Sequence, residues 1–166
     1  MSRRALRGLI ALGLVLGLAG CGEGRLARAD LAAAQAFLAA NAKAPGVQTL
    51  PSGVQYRVVA RGPADGPTPS PDDEVKVNYE GKLLNGQVFD SSFARGQPVD
   101  FTLGQLIPAW VEALQRMRPG DEWMLYVPPD QGYGERRSGP IPPNSLLVFR
   151  IQLLGVLKHE GRSANG

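Results

Sequence analysis

The sequence predicts an α+β domain in which an antiparallel sheet of about five strands packs on one short α-helix, with another short helix before it. Two observations predict this class. Apolar and polar residues alternate along several segments after residue 50, as expected of half-buried strands. Residues 108–117 instead repeat their apolar side chains every three or four positions, as a helix does. A chain of 166 residues accommodates one such domain with short extensions.

The start of the chain has the layout of an export signal. Three arginines precede an apolar run (residues 9–19), which is shorter than the roughly 20 residues of a membrane-spanning helix. The segment L18-A-G-C21 resembles the lipobox of bacterial lipoproteins, in which the leader (residues 1–20) is removed and Cys21 receives the lipid. We therefore expect a lipid-anchored envelope protein, and Gly22 in place of aspartate favours the outer membrane, facing the periplasm. An ordinary signal peptide with an incidental cysteine is the alternative.

The excess positive charge of the chain belongs to this leader. The sequence has 18 Lys and Arg residues and 15 Asp and Glu residues, and removal of residues 1–20 takes away three arginines. The remaining chain is formally neutral. Its charge therefore does not favour binding to nucleic acid or to an anionic lipid surface.

Residues 21–46 are predicted to form a lipid-anchored tether with one short helix. Asp30 is placed as an N-cap before the alanine-rich segment 31–41, and Pro45 and Gly46 follow as a stop. Three apolar residues share one helical face, with a fourth beside them: Leu31, Ala34 and Leu38, and Phe37. Packing of this face against the domain or a partner and a mostly solvated tether are both compatible with the pattern.

The domain itself is predicted to cover residues 47–157, followed by a polar tail (158–166). The predicted strands are residues 54–58, two strands of a hairpin between 75 and about 90, 123–127 and 147–153. The dipeptide Asn85-Gly86 suits a type I′ turn in the hairpin. The central helix begins at Pro108, which fits a first helical turn, and ends before Pro119 and Gly120.

The residues give little support to covalent or metal catalysis. His159 is the only histidine and lies in the tail, Cys21 is the only cysteine, and no glycine-rich phosphate loop is present. We expect no metal and no cofactor. Aromatic and branched apolar residues with a few isolated polar groups favour an apolar binding pocket instead.

Five short motifs, in their order and spacing, resemble the FKBP family of peptidyl-prolyl cis/trans isomerases. They are V77-N-Y-E-G81, G86-Q-V-F-D-S-S92, I107-P-A-W110, G132-Y-G134 and I141-P-P-N-S-L-L-V-F149. The resemblance covers about residues 47 to 157 and implies a curved sheet wrapped around the short helix. It also implies isomerase activity on proline-containing polypeptides, and binding of tacrolimus and rapamycin, whose pipecolyl ring mimics proline.

The resemblance further implies a proline pocket with Trp110 as its floor. The implied pocket residues are Tyr79, Phe89, Asp90, Val99, Leu106, Ile107, Trp110, Tyr133, Ile141 and Phe149. Asp90 is expected to face the twisted amide, Tyr133 to donate a hydrogen bond to a substrate carbonyl, and Phe89 and Trp110 to complete the catalytic set; the backbone N–H of Ile107 is expected to bond the ligand. Judged by residue type alone, each aromatic also suits an ordinary core, and Asp90 also suits a turn acceptor.

Three positions depart from the usual family pattern. Val99 stands where a bulky Phe or Leu is frequent, Ala109 replaces a frequent Gly, and Arg150 stands where an acidic residue is common. The loop between the last two motifs carries Arg136 and Arg137 near the expected pocket mouth. These arginines favour substrates with acidic residues beside the proline.

Residues 35–60 resemble the junction before the isomerase domain in relatives of the macrophage infectivity potentiator. Those relatives dimerise through a longer helical region. Only about twenty residues separate Cys21 from the junction here, which predicts a monomer.

Two other functions fit the same sequence. One is a binding module or holdase chaperone whose pocket docks proline-containing segments without turnover, since a fold does not guarantee activity. The other is a role of the anchor and the arginine loop in surface assembly or host contact. The joint presence of Asp90, Trp110 and Tyr133 favours the enzyme.

Overall fold

The computed structural model describes residues 20–159 of the chain. Residues 1–19 of the predicted leader and 160–166 of the predicted tail lie outside the described residues. The helices are α1 (Gly20–Asn41), α2 (Ser92–Arg95) and α3 (Pro108–Leu114), with 3-10 turns at Leu103–Gln105 and Pro129–Gln131. The strands are β1 (Val47–Thr49), β2 (Gln55–Ala60), β3 (Glu74–Leu83), β4 (Val88–Ser91), β5 (Val99–Thr102), β6 (Glu122–Val127) and β7 (Leu147–Leu157).

All seven strands join one antiparallel sheet in the order β1-β2-β6-β7-β3-β4, with β5 also paired to β3. The predicted α+β class is confirmed, but the sheet has seven strands where the sequence predicts about five. The two additional strands are β1 and β5. They are three and four residues long, too short to show a recognisable alternation.

The edge of β3 is shared between two short strands. On one side β3 pairs with β7 along its whole length, while on the other side β5 pairs with residues 74–77 and β4 with residues 80–82. Asn78 and Tyr79 face the gap between β4 and β5. The chain leaves the sheet there to form α2. Tyr79, beside this gap, also lines a cavity.

The turn between β3 and β4 differs from the predicted type I′ turn. The Gly86 N–H donates to the Leu83 carbonyl at 2.9 Å, so Leu84 and Asn85 occupy the central positions. Only Gly86 has a positive φ in this turn, at 88°. A type I′ turn needs positive φ at both central residues, which a leucine resists; the arrangement is that of a three-residue loop closed by a glycine bulge.

The hydrophobic core lies between α3 and the inner face of the sheet. Helix α3 buries Ala109, Trp110, Ala113 and Leu114, while β6 and β7 direct alternate side chains toward it. A helix of seven residues is not stable alone in water. Its burial against the sheet therefore supplies most of its stability.

Helix α1 already includes Gly20, so the prediction that Asp30 caps a helix starting at residue 31 is wrong. Residues 25–29 are strong helix formers and continue the helix toward the N-terminus. Part of the predicted apolar face packs on the domain: Ala34 is buried and the ring of Phe37 lies 5.7 Å from that of Tyr126, whereas Leu31 is exposed. Over residues 20–159, no helix combines the length and the apolar character needed to cross a membrane.

The side chain of Gln55 on β2 closes the C-terminal end of α1. Its Nε2 donates to the Leu38 carbonyl at 2.9 Å, and its Oε1 accepts from Asn41 Nδ2 at 2.9 Å. Gln55 is buried, so these bonds satisfy polar groups that would otherwise be unpaired. They join the helix end firmly to the sheet.

The carboxylate of Asp73 binds the end of β7 to the loop before β3. It accepts from the backbone and hydroxyl of Ser70, from Lys158 Nζ at 2.9 Å and from the His159 backbone N–H at 2.9 Å. These contacts, led by the Ser70 backbone hydrogen bond, hold the pKa of Asp73 well below its usual range. The ionised carboxylate therefore stabilises the folded chain.

We expect Asp73→Asn to lower the melting temperature most at neutral pH. Because the folded-state pKa of Asp73 lies below the unfolded value, its contribution is complete above about pH 4 and declines as the pH falls further. The gap in melting temperature between wild type and variant should therefore narrow below about pH 4. Thermal unfolding at several pH values checks this, with Asp72→Asn, at the exposed neighbouring carboxylate, as the control. A gap that stays constant down to pH 2 would contradict it.

Candidate active site

A cavity of about 240 Å³ opens where α3 begins. Its lining consists of Tyr79, Phe89, Asp90, Phe101, Leu106, Ile107, Trp110, Tyr133 and Phe149. Eight of these nine residues are among the ten that the sequence predicts. The motifs, which are spread over more than seventy residues of sequence, thus meet at one site.

Trp110 forms the floor of the cavity. Three aromatic rings meet its indole at nearly right angles: Tyr79 at 5.3 Å, Phe149 at 5.3 Å and Phe101 at 6.1 Å between ring centroids. Such edge-to-face pairs contribute beyond the area they bury. The indole is 4% exposed, so it belongs to the core and to the cavity at once.

Phe89 and Phe149 form a wall of the cavity. Their rings are nearly perpendicular, with the ring centroids 5.6 Å apart. Gly81 on β3 lies behind both rings. A methyl group on Gly81 would lie 2.5 Å from Phe89 Cε2 and 2.9 Å from Phe149 Cε1, distances that require a ring to shift. The glycine of the first motif is therefore needed because two wall rings occupy the space above it.

The structure does not bring Val99 and Ile141 to the cavity. Val99 pairs with Val77 across β5 and β3 and packs partly buried on the core, while Ile141 is buried in the core and is not part of the cavity lining. Phe101, which the sequence analysis missed, lines the cavity instead. Side chains two apart on a strand share one face, so recognition of β5 as a strand would have placed Phe101 beside Val99.

A polar network stands at the rim of this apolar cavity. The Tyr79 hydroxyl donates to Asp90 Oδ2, and the Arg95 guanidinium pairs with Asp90 Oδ1. Arg95 Nη2 also donates to the Tyr79 hydroxyl at 3.2 Å, and its Cζ lies 5.8 Å from the Tyr79 ring centroid. Arg95 is absent from the predicted site because a lone surface arginine has no distinguishing sequence signal.

This network keeps Asp90 ionised at neutral pH. Burial by itself raises the pKa of the Asp90 carboxyl, but the hydrogen bonds from Tyr79 and Arg95 outweigh it and bring the pKa below its usual value. Burial and the bond to Asp90 raise the pKa of Tyr79. The backbone N–H of Ser91 also helps to lower the pKa of Asp90, which lies in β4.

Ser92 fills the gap in the edge of β3. The Tyr79 backbone N–H, which has no strand partner on that side, donates to Ser92 Oγ at 2.8 Å. The hydroxyl lies 3.3 Å from both Asn78 Oδ1 and the Tyr79 carbonyl, either of which can accept its proton. Ser92 is fully buried. It thereby replaces a missing ladder bond beneath the polar network.

Two further donors stand at the mouth of the cavity. Tyr133 is 39% exposed, and its hydroxyl has no partner among residues 20–159. Ile107 precedes α3, and its backbone N–H has no acceptor in the described part of the chain. Both groups are therefore able to donate to a ligand in the cavity.

The arginine loop stays in solvent. Arg136 and Arg137 are exposed, and neither side chain forms an ion pair within the part of the chain that the structure describes. The Arg136 N–H donates to the Tyr133 carbonyl at 3.2 Å, which ties the loop to the cavity mouth. Across residues 20–159, no three His, Cys, Asp or Glu side chains cluster as metal ligands would.

An antiparallel sheet packed on one helix, with an aromatic cavity where that helix begins, is the arrangement that the resemblance to FKBP domains implies. The sequence profile of the FKBP-type peptidyl-prolyl cis-trans isomerase matches residues 66–154, and that of the domain amino-terminal to it matches residues 22–58. The chain belongs to the FKBP-type peptidyl-prolyl cis-trans isomerase family. The resemblance seen in the sequence is confirmed.

Individual relatives come from bacteria. The chain is 52% identical over 125 residues to the peptidyl-prolyl cis-trans isomerase Mip of Coxiella burnetii, covering 75% of this chain and 54% of that protein. It is 45% identical over 133 residues to the outer membrane protein MIP of Legionella longbeachae, covering 80% and 56%. The crystal structure of FkpA from Escherichia coli superposes with a TM-score of 0.79 at 38% identity, covering 83% and 64%. The chain thus spans just over half the length of the two Mip relatives and under two thirds of the FkpA chain.

We expect Gly81→Ala to destabilise the protein by about 1–3 kcal/mol, because the added methyl overpacks the two wall rings. Urea unfolding monitored by fluorescence measures the free energy of unfolding. Gly155→Ala on β7 is the matched control, since its added methyl meets only Lys76 Cβ at 3.9 Å. Equal stability of Gly81→Ala and the control would contradict the packing described.

Proposed function

We propose that the protein is a peptidyl-prolyl cis/trans isomerase that accelerates folding of proline-containing polypeptides in the bacterial cell envelope. The observation that carries this proposal is the cavity itself, with its aromatic floor and walls and its ionised carboxylate at the rim. Membership of the family and the names of the Coxiella and Legionella proteins support it.

The proposed mechanism is non-covalent. Rotation about an X-Pro bond has a barrier of about 18–20 kcal/mol and needs no nucleophile. A planar amide is more dipolar than a twisted one, so an apolar cavity disfavours the ground state more than the transition state. An acceleration of about 10⁴-fold requires roughly 5 kcal/mol of such differential stabilisation.

The lining residues take distinct roles in this proposal. The proline ring packs on Trp110 between Tyr79, Phe89 and Phe149, with Phe101, Leu106 and Ile107 completing the apolar surface. The carboxylate of Asp90 faces the twisting amide and is held in place by Tyr79 and Arg95. Tyr133 and the backbone N–H of Ile107 donate to the substrate carbonyls. Val99 and Ile141 support the lining from the core.

We expect a form starting at Gly22 to accelerate cis-to-trans isomerisation of X-Pro-Phe peptides in a protease-free assay. Trp110→Ala should lower kcat/KM by more than tenfold because it removes the floor and three ring contacts. Circular dichroism establishes that the variant is folded. Since Asp90 stays ionised, the wild-type rate should be flat between pH 6 and 8. Equal activity of a folded Trp110→Ala and the parent would refute the pocket assignment.

We expect tacrolimus and rapamycin to bind in the cavity and abolish catalysis. Tyr133→Phe should weaken tacrolimus by about two- to tenfold, the size of one net hydrogen bond. Calorimetry measures the affinity, and Tyr126→Phe, which alters a hydroxyl outside the cavity, is the control. Tacrolimus binding without catalysis would favour the docking module. Absence of both in a folded sample would mean that the family fold serves another function here.

We also propose that a lipid on Cys21 anchors the protein, with the outer membrane as its site. The support is the lipobox resemblance of L18-A-G-C21 and the name of the Legionella relative. Labelling of expressing cells with radioactive palmitate tests it, because Cys21→Ser should abolish incorporation.

The lipid-free form is proposed to be a monomer. The apolar face of α1 is partly used within its own domain, since Ala34 is buried and the Phe37 ring packs on Tyr126, which leaves less of this face for pairing with a second copy. Sedimentation velocity distinguishes the two states, and a stable dimer at micromolar concentration would overturn this part of the proposal.

A further inference from the structure

The turn α2 carries Arg95 and is attached to the sheet on two sides. On the inner side, buried Ser92 bonds the backbone of Tyr79. The turn itself is closed by Ser91 Oγ, which accepts from the Ala94 N–H at 3.1 Å, and by Gly96 at φ 69°. Its single helical turn is therefore well formed but too short to orient itself without the sheet.

On the outer side the turn is attached through Phe93. The Arg150 guanidinium lies over the Phe93 ring, with Cζ 4.6 Å from the ring centroid. Arg150 is on β7 next to the wall residue Phe149, and alternate strand residues face opposite sides of the sheet. The contact is therefore on the face opposite the cavity.

Arg150 is itself held by β6. Its Nε donates to Glu122 Oε1 at 2.7 Å, and the other Glu122 oxygen accepts from Gln152 Nε2 at 2.6 Å. The Glu122 side chain is only 12% exposed. A glutamate fixed by two donors gives the arginine one orientation over Phe93. An acidic residue in place of Arg150 would repel Glu122 and offer no cation to the ring.

We propose that Phe93 and Arg150 are positioning residues for the active site, which hold α2 so that Arg95 stays on Asp90 and Tyr79. The chain of contact runs from Glu122 through Arg150 and Phe93 to the turn, and from Arg95 back to the rim of the cavity. It links the outer face of the sheet to the polar network. The expected effect on activity rests on the role proposed above for Asp90. The chain of contacts itself does not depend on that proposed role.

The test uses carbon NMR titration of the Asp90 carboxyl in the lipid-free protein. The charged and titratable side chains in contact with Asp90 are Tyr79 from β3 and Arg95 from α2. Loss of Arg95 from this site therefore raises the pKa of Asp90, which Arg95→Ala calibrates. Phe93→Ala and Arg150→Met should each raise the pKa of Asp90 as well. In a protein that already carries Arg95→Ala, neither substitution should raise this pKa further.

Isomerisation rates provide the second readout. Phe93→Ala and Arg150→Met should lower kcat about two- to fivefold, the size of an exposed cation–π contact, with KM nearly unchanged. Arg150→Lys should restore most of the loss because it keeps a cation near Phe93 and Glu122. Lys76→Met is the matched control, since it removes an exposed ion pair on β3, with Asp100 at 3.7 Å, that contacts neither Arg150 nor Phe93.

The outcomes separate the two proposals. An Asp90 pKa that stays at the wild-type value in both Phe93→Ala and Arg150→Met overturns the positioning inference, as does an equal effect of Lys76→Met. A raised Asp90 pKa in a protein without isomerase activity supports the positioning inference and overturns the proposed function. Unfolding of Phe93→Ala leaves Arg150→Met and Arg150→Lys as the deciding pair, because Arg150 is a surface residue.

Discussion

The packing of Trp110 against the sheet is the interaction on which the rest of the structure depends. Helix α3 has seven residues and would not persist without the sheet. Its tryptophan meets three perpendicular rings from β3, β5 and β7, so one side chain joins the helix to three strands. The upper face of the same indole is the floor of the cavity. Stability of the core and shape of the site thus depend on one packing arrangement.

The polar side of the site results from an interruption in the sheet. Because β4 and β5 share the edge of β3, the chain between them leaves the sheet beside Tyr79 and returns after α2. This excursion places Arg95 at the rim beside Asp90 of β4, while Ser92 compensates the ladder bond that the gap removes. An unbroken edge strand would have paired the backbone fully and left no loop to carry Arg95.

The N-terminal helix is joined to the domain through its C-terminal half. Ala34 is buried, Phe37 packs on Tyr126 of β6, and Gln55 bonds the last turn. Helix and sheet are therefore connected without a flexible segment between them. If Cys21 at the other end carries a lipid, as proposed, this connection sets the distance of the cavity from the membrane surface.

The sequence by itself determined the α+β class, five of the seven strands, the central helix and eight of the nine cavity residues. These follow from the periodicity of the longer segments, from the turn dipeptide of the hairpin, and from motifs whose order identifies a family. It did not determine β1, β5, Phe101 or Arg95, because a strand of three or four residues has no measurable period and an exposed arginine resembles any other. The extension of α1 ahead of Asp30 depended on local helix propensity, and the hairpin bulge at Gly86 depended on which residue tolerates positive φ. Only the tertiary structure decided that Arg95 lies on Asp90, that Gly81 makes room for two rings and that Arg150 covers Phe93. Each of these contacts joins residues on different strands or turns, and their distance in space is set by the pairing of the whole sheet.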